Sequence, residues 1–404
     1  MRISQLQLPL VACCILWGGI PIQAATADEP RTLEVVLGDS VIHDSNVFRL
    51  PGFVDPLLAV GVPSKSDTIN VASVGLRIDK PYAQQRFQLD VTETAYRYSN
   101  FSFLNFDALE YRGAWLWHLT PRWSGALSAE RRKALVSFAD TQLFQRNLST
   151  ADNYRFSLDG SLFGGWHVLF GVFQSQQKYD QVVLPQSSSR TRGGEAGIRY
   201  ENAAGSSLSV TRRSINGDYL NRVVDATNFI DNAFHQDESE LSADWKLSGN
   251  SVLNGRLTWV DRHHEHFAER NFSGVTGELS YIWTPTGKLR VDIVAKRDIN
   301  SWWETFSSYR VDDSLSFTPT WQVSAKTAVR MRLERIKSDF RGPVSPPPGP
   351  LRRDIVNSVQ LAVDWSPLRS VSSGASLQRQ WRSSNKSGVE FDDTIASVNA
   401  KLTF

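Results

Sequence analysis

The last eight residues of the chain read Ser397-Val398-Asn399-Ala400-Lys401-Leu402-Thr403-Phe404. Apolar and polar side chains alternate along them, which is typical of a β-strand with one face in an apolar medium and the other in a polar one. One face carries Val398, Ala400, Leu402 and Phe404, while Lys401 belongs to the other. A final strand that ends in Phe is familiar from bacterial outer-membrane barrels. The segment therefore predicts the strand that closes such a barrel.

The N-terminus has the organisation of a secretory signal peptide. A basic start is followed by an apolar run from Leu8 to Ile20, and Ala25-Thr26-Ala27 offers small residues for cleavage. The run is too short for a spanning helix. Leu10-Val11-Ala12-Cys13 matches a lipoprotein box, but the residues after it are still apolar. We predict export through a signal peptide over residues 1–27.

Composition narrows the class of the mature chain, which we predict to be one domain over residues 28–404. The sequence holds 13 Trp, 21 Phe and 10 Tyr, yet after the signal no stretch approaches the twenty apolar residues that a membrane helix needs. Both cysteines lie in the signal, so the mature chain has no disulfide. The formal net charge of +2 gives no sign of a nucleic-acid partner. These features exclude a helical membrane protein.

A strand–turn–strand pattern recurs roughly every forty residues along the mature chain. Gly and Pro mark the turns, since Pro cannot donate to a ladder and Gly tolerates positive φ. Longer polar stretches separate the hairpins. The predicted turns lie at Lys80–Tyr82, Thr120–Arg122, Phe163–Gly165, Ala203–Gly205, Ser248–Asn250, Thr284–Gly287, Pro319–Ser324 and Ser366–Pro367.

The turns allow the strands to be counted. Eight hairpins, the final strand and an N-terminal strand within Leu33 to Phe48 give about eighteen strands, with about sixteen as the next alternative. Short turns that alternate with long loops are typical of an outer-membrane barrel. We therefore predict an all-β, transmembrane antiparallel barrel in the bacterial outer membrane. A soluble β-propeller is the alternative, although its blade motifs are missing.

Aromatic residues sit on the apolar face just before several short turns. A ring of such side chains at one height would form an aromatic girdle at the periplasmic boundary of the membrane, in contact with its lipid. The predicted girdle consists of Trp117, Trp245, Trp283, Phe317, Trp365 and Phe404.

The polar faces of the strands carry charges of both signs, which would line the lumen of the barrel. Interspersed opposite charges often neutralise one another. Alternatively, they form a track for carboxylated or phosphorylated sugars, because a guanidinium grips a carboxylate bidentately. The predicted lumen cations are Arg112, Arg132, Arg155, Arg199, Arg213, Arg256, Arg290, Arg330, Arg332 and Lys401.

Three other features of the sequence could carry a metal site, a catalytic site or a functional loop. His264 and His266 share a strand face, but a structural zinc site normally needs four ligands, so we predict no metal and no cofactor. His118 and His167 lie beside turns without a nucleophile motif, and we predict no enzymatic activity. The polyproline stretch Pro343–Pro350 is predicted to be an external loop, with a lid over the pore as the alternative.

One resemblance to a known family runs over most of the mature chain. The segment Asp44–Pro51 resembles the Asp-x-Asn-hydrophobic-Phe-Arg-Leu motif of EpsL-type proteins, with Ser45 and Val47 departing mildly from it. These are outer-membrane β-barrels of a porin superfamily encoded in exopolysaccharide operons. Further matching segments are Trp115–Gly125, Ser137–Asp140, Arg270–Gly274 and Tyr281–Leu289.

The resemblance implies a function that periodicity alone could not supply. It implies a conduit that takes part in exopolysaccharide biosynthesis or export, with an anionic polysaccharide as cargo. The barrel assembly machinery and periplasmic polysaccharide export proteins would be its partners. A general small-solute porin and a glycan-modifying enzyme housed in a barrel are the two alternatives.

Overall fold

The computed structural model describes residues 32–140, 144–181, 187–304 and 306–404. The predicted signal peptide lies outside these residues. The described chain forms eighteen strands. They are β1 (Leu33–Asp44), β2 (Asp67–Tyr82), β3 (Gln85–Tyr98), β4 (Phe106–Thr120), β5 (Trp123–Leu135), β6 (Leu148–Ser161), β7 (Trp166–Tyr179), β8 (Ser189–Glu201), β9 (Ser207–Tyr219), β10 (Ala233–Ser248), β11 (Ser251–His264), β12 (Phe272–Thr286), β13 (Leu289–Glu304), β14 (Ser307–Ser324), β15 (Thr327–Arg341), β16 (Arg353–Leu368), β17 (Val371–Ser384) and β18 (Phe391–Thr403).

All neighbouring strands pair antiparallel in one sheet, and the sheet closes on itself. The closure runs between β1 and β18, from Val36 opposite Thr403 to Asp44 opposite Ile395. The predicted closing role of the C-terminal strand is confirmed, and the strand number is eighteen rather than sixteen. The helices in the described ranges are one short α-helix, α1 (Pro56–Val60), and two 3-10 turns. Among the described residues, no helix is long and apolar enough to cross a membrane.

Short turns lie at one end of the barrel and most long loops at the other, as in outer-membrane barrels whose short turns are periplasmic. Three predicted turn positions are wrong by one or a few residues. Lys80–Tyr82 forms the end of β2, and the chain turns only after Tyr82. Pro319 lies inside β14 and Pro367 inside β16, and the chain turns only after Ser324 and Leu368. The ladder is irregular around both prolines, because proline has no N–H to donate to it.

The outer face of the barrel carries an apolar band. Val398, Leu377 and Leu361 point outward there and are 62%, 56% and 52% exposed. Alternation puts charged and hydroxyl side chains on the opposite, inner face of the same strands. Apolar outside and polar inside is the arrangement that a lipid-embedded barrel requires.

Charged residues replace the apolar ones on the outer face as the strands approach the long loops. On β15, for example, Val329, Met331 and Leu333 are followed on the same face by Arg335 and Lys337. We call this zone the outer collar. It contains Arg97, Asp107, Arg131, Lys133, Asp152, Lys178, Arg190, Arg192, Arg212, Asp218, Asp237, Asp261, Arg297, Asp313, Arg335, Lys337, Asp339, Arg341, Arg353, Arg379 and Asp392.

Apolar residues from three long loops pack together inside the external mouth. Phe48 is 1% exposed, and its ring lies 4.7 Å from those of Phe101 and Phe138, which belong to the next two long loops. Inward-facing residues of β2 and β4, including Ile69 and Phe106, complete this loop cluster. The barrel therefore has a hydrophobic core at its mouth rather than along its length.

The segment Asp44–Pro51 shapes the base of the loop cluster. The side chain of Asn46 accepts from the Leu50 N–H at 2.9 Å and donates to the Leu50 carbonyl at 2.8 Å, which folds the segment back on itself. Arg49, with φ at 55°, reaches the Asp44 carboxylate at 3.0 Å. This tight loop directs Phe48 into the cluster.

Candidate functional site: the lumen

The register places all ten predicted lumen cations on the inner face of the barrel. They fall into sets that differ in how firmly the wall holds them. The alternation of the sequence does not reveal how exposed each cation is or which carboxylate it pairs with. Both depend on the side chains that the neighbouring strands carry at the same height.

The first set is held in a network on β6, β8, β9 and β10, which we call the locked wall. The Arg213 guanidinium lies 2.7 Å from Glu195, 3.1 Å from Glu238 and 2.8 Å from Glu240, and its side chain is 7% exposed. Arg155 pairs with the same Glu195 carboxylate. Charge-assisted hydrogen bonds hold Arg213 and its three carboxylates together, so these groups have little left to offer a solute.

A second network lies nearer the short turns. Asp159 accepts from Arg199 at 2.6 Å and lies 2.8 Å from Nδ1 of His167. His167 and Arg199 face each other across β7 and β8. The arrangement holds this part of the wall together.

The second set of predicted cations is open to the lumen. The side chains of Arg112, Arg132, Arg290 and Arg332 are about half exposed, at 51%, 50%, 48% and 47%. We call this group the open wall. Three of its arginines pair with a carboxylate two residues away on the same strand, such as Arg332 with Glu334 at 2.8 Å. Such exposed pairs are weak and exchange easily with a ligand.

Three predicted cations lie between these extremes. Arg256 reaches Glu278 at 3.9 Å, and Arg330 reaches Asp364 at 3.4 Å. Lys401 is half-buried on β18. All three line the lumen without belonging to either wall.

Sequence reasoning missed a further set of inner arginines at the mouth. Asp140, in the loop between β5 and β6, lies 3.2 Å from Arg310 on β14 and 3.4 Å from Arg382 on β17. In a ring of eighteen strands, β14 is nine places from β5 and therefore opposite it. The segment Val136–Asp140 thus reaches across the lumen. Asp140 ends the segment Ser137–Asp140 that resembles EpsL-type proteins, and this resemblance was the only sequence signal for the contact.

The contact of Asp140 is strongly electrostatic. Burial by itself would raise the pKa of the Asp140 carboxyl, but the guanidinium groups of Arg310, Arg382 and Arg352 outweigh it and lower the pKa below its usual value. The carboxylate therefore stays charged at neutral pH, and the loop remains fixed to the opposite wall.

The predicted girdle residues lie on the outer face, but not all at one height. Trp245, Trp283, Trp365 and Phe404 are exposed close to the short turns. Trp117 is only 8% exposed, because its ring lies flat across Gly125 of the next strand.

Phe317 is the exception to the predicted girdle. It lies in the middle of β14, since the turn comes later than predicted, and Trp321 takes the place nearest the turn. The sequence reading also missed other exposed outer-face aromatics near this end, namely Phe87, Trp115, Trp123, Trp166 and Tyr200.

The histidine segment does not assemble a metal site. His264 lies beside the Tyr219 and Phe234 rings, and His266 pairs with Asp231 at 3.0 Å in a neighbouring loop. The hydrogen bond that the His266 ring donates to the Asp231 carboxylate raises the pKa of His266. In the part of the chain that the structure describes, no group of three or more His, Cys, Asp or Glu residues could hold a metal ion.

Comparison with known proteins identifies the class of the fold. No family model and no curated protein matches the sequence. Among solved structures, Pseudomonas aeruginosa OccK2 (OpdF) in complex with glucuronate is 12% identical, covering 92% of this chain and 98% of its own, with a TM-score of 0.50. The outer membrane protein opdK of the same organism is 10% identical, covering 92% and 99%, with a TM-score of 0.49.

The chain is thus an outer-membrane β-barrel. Its eighteen antiparallel strands and apolar outer band place it in the bacterial outer membrane. The likeness to solved structures is one of fold. The EpsL-type resemblance gains no support, since no family model matches the sequence.

Proposed function

We propose that the protein is a non-enzymatic channel for small anionic solutes, with carboxylated sugars as the solute class. The observation that carries this proposal is the open wall. Its four guanidinium groups stand half exposed in the lumen, and three of them share weak pairs with neighbouring carboxylates. A channel must bind its solute well enough to admit it and weakly enough to release it, and such arginines meet both conditions.

The mouth supports a small solute over a polymer. Phe48, Phe101 and Phe138 pack into the loop cluster, and Asp140 carries its loop to the opposite wall. A polysaccharide would have to thread past a loop fixed at both sides, whereas a monosaccharide can pass beside it. The neighbouring OccK2 structure contains glucuronate, a carboxylated sugar, which is the ligand chemistry that the open wall would recognise.

Reconstituted barrel tests this proposal directly. In liposome-swelling assays we expect glucuronate to enter faster than glucose, which has similar size but no carboxylate. Arg332→Ala combined with Arg290→Ala should remove most of this preference, because both guanidinium groups face the lumen. Equal rates for the two sugars in the wild type would disprove the proposal.

An outward-facing arginine supplies the matched control. Arg379 is exposed on the outer collar and pairs with Asp392 at 2.8 Å. Arg379→Ala removes the same charge without touching the lumen, so the glucuronate preference should persist. Loss of preference in this variant would show that global charge, rather than the open wall, sets selectivity.

Polysaccharide export stays a prediction that rests on the sequence resemblance. The same holds for binding of an anionic polymer, of the barrel assembly machinery and of periplasmic export proteins. A large, unselective pore in planar bilayers would count against both the polymer conduit and the selective channel.

A further inference from the structure

The outer collar is unevenly charged around the barrel. On β13 to β16 it becomes a basic patch in which five cations face two carboxylates. The patch consists of Arg297, Arg335, Lys337, Arg341 and Arg353 with Asp313 and Asp339.

The two carboxylates cannot neutralise the basic patch. Asp339 is shared among Arg353 at 2.6 Å, Lys337 at 3.1 Å and Arg341 at 3.7 Å. Asp313 lies 3.5 Å from Arg297. Arg335 forms no ion pair with any described residue. Several cationic side chains therefore remain available on one outer surface.

The basic patch begins where the lipid-facing band ends. Arg335 lies directly opposite Leu315, which is 57% exposed on the outer face of β14. Leu333 precedes Arg335 on the same face of β15, and Lys337 follows it. At this height the barrel wall leaves the acyl region and enters the layer of lipid head groups.

We propose that the basic patch binds the phosphate groups of the lipid in the outer leaflet. Cationic clusters beside a membrane-spanning segment recognise anionic head groups, and arginine binds phosphate bidentately. The argument rests on charge complementarity and on continuity with the lipid-facing band. It does not depend on what passes through the lumen.

Lipid binding by the purified barrel tests the inference. Native mass spectrometry at low ionic strength would compare diphosphoryl lipid A with the same lipid stripped of phosphate. The wild type should bind the phosphorylated form more tightly, and raising the salt concentration should weaken that binding. Each cation near a membrane surface strengthens binding roughly fivefold, so Arg335→Ala with Arg353→Ala should weaken it roughly 25-fold.

A second double variant controls for charge alone. Arg212 and Arg379 also lie in the outer collar, but each faces its own carboxylate, at 3.1 Å and 2.8 Å. Arg212→Ala with Arg379→Ala should leave lipid A binding within about twofold of the wild type. Equal loss in both double variants, or equal binding of the dephosphorylated lipid, would overturn the proposal.

Discussion

The locked wall and the open wall carry the same kind of residue on the same face of one sheet, yet they hold it differently. Arg213 is 7% exposed and touches three carboxylates, whereas Arg332 is 47% exposed and touches one. The difference lies in their cross-strand neighbours. Glu195 and Glu238 stand directly opposite Arg213, while Gln360 stands opposite Arg332.

This contrast distinguishes lumen arginines that stabilise the barrel wall from lumen arginines that are available to a solute. A buried cation with three partners makes the wall rigid. Removing it leaves the partner carboxylates buried without a counter-charge, which destabilises the fold. An exposed cation with one weak partner contributes little to folding and remains free to meet a solute. Position on the inner face alone therefore does not identify a transport residue.

The largest effect is expected at the centre of the locked wall. Arg213→Ala would leave Glu195, Glu238 and Glu240 without their shared cation. We expect the free energy of unfolding to fall by about 3–5 kcal/mol, as when one partner of a buried ion pair is removed. Urea unfolding of the reconstituted barrel would measure this, and a loss below about 1 kcal/mol would show that the wall is not locked.

A smaller effect is expected where the mouth loop meets the opposite wall. Asp140→Asn removes the charge that faces Arg310 and Arg382, and should cost about 1.5–3 kcal/mol of stability. We also expect higher single-channel conductance, because the loop loses its anchor. Unchanged conductance would mean that other contacts hold the loop.

Acid should release the same anchor. Because the pKa of Asp140 is lowered, its contribution is present above the ordinary carboxyl range and is lost as the pH falls through the lowered value. Wild-type conductance should therefore stay constant from pH 7 to about 4 and rise only in more acidic solution. A rise near pH 6 would contradict this assignment.

The smallest effect on stability is expected in the open wall. Arg132→Ala removes an exposed pair with Glu130 at 2.6 Å, so the free energy of unfolding should change by less than about 1 kcal/mol. Planar-bilayer reversal potentials should nevertheless shift toward cation selectivity. A stability loss as large as that of Arg213→Ala would erase the distinction between the two walls.

Alternation and turn residues were enough to predict the architecture. Strands such as β12 and β13 show their two faces in the sequence, and the hairpin pattern led to eighteen strands. Two of the misplaced turns have one physical cause: Pro319 and Pro367 sit in irregular stretches of barrel strands rather than in turns. A proline marks a break in the ladder, and a break need not be a turn.

The division of the lumen could not be read from the chain. Arg213 owes its burial to carboxylates on two other strands, and Asp140 reaches arginines far away in sequence. Such partners are set by register and by the path of a loop, neither of which follows from local periodicity. The outer collar, by contrast, can be read from the sequence, because its charged residues occupy positions on the otherwise apolar faces of the strands. The sequence analysis did not identify it.

The seam between β1 and β18 also bears on how the barrel assembles. Every other ladder joins strands consecutive in the described chain, while this one joins its two ends. Because closure entropy grows only logarithmically, enclosing the whole chain costs about 4 kcal/mol more than closing a turn of about four residues. A seam of nine paired residues can offset that cost. The seam therefore needs no contacts beyond those of an ordinary ladder to hold the two ends of the described chain together.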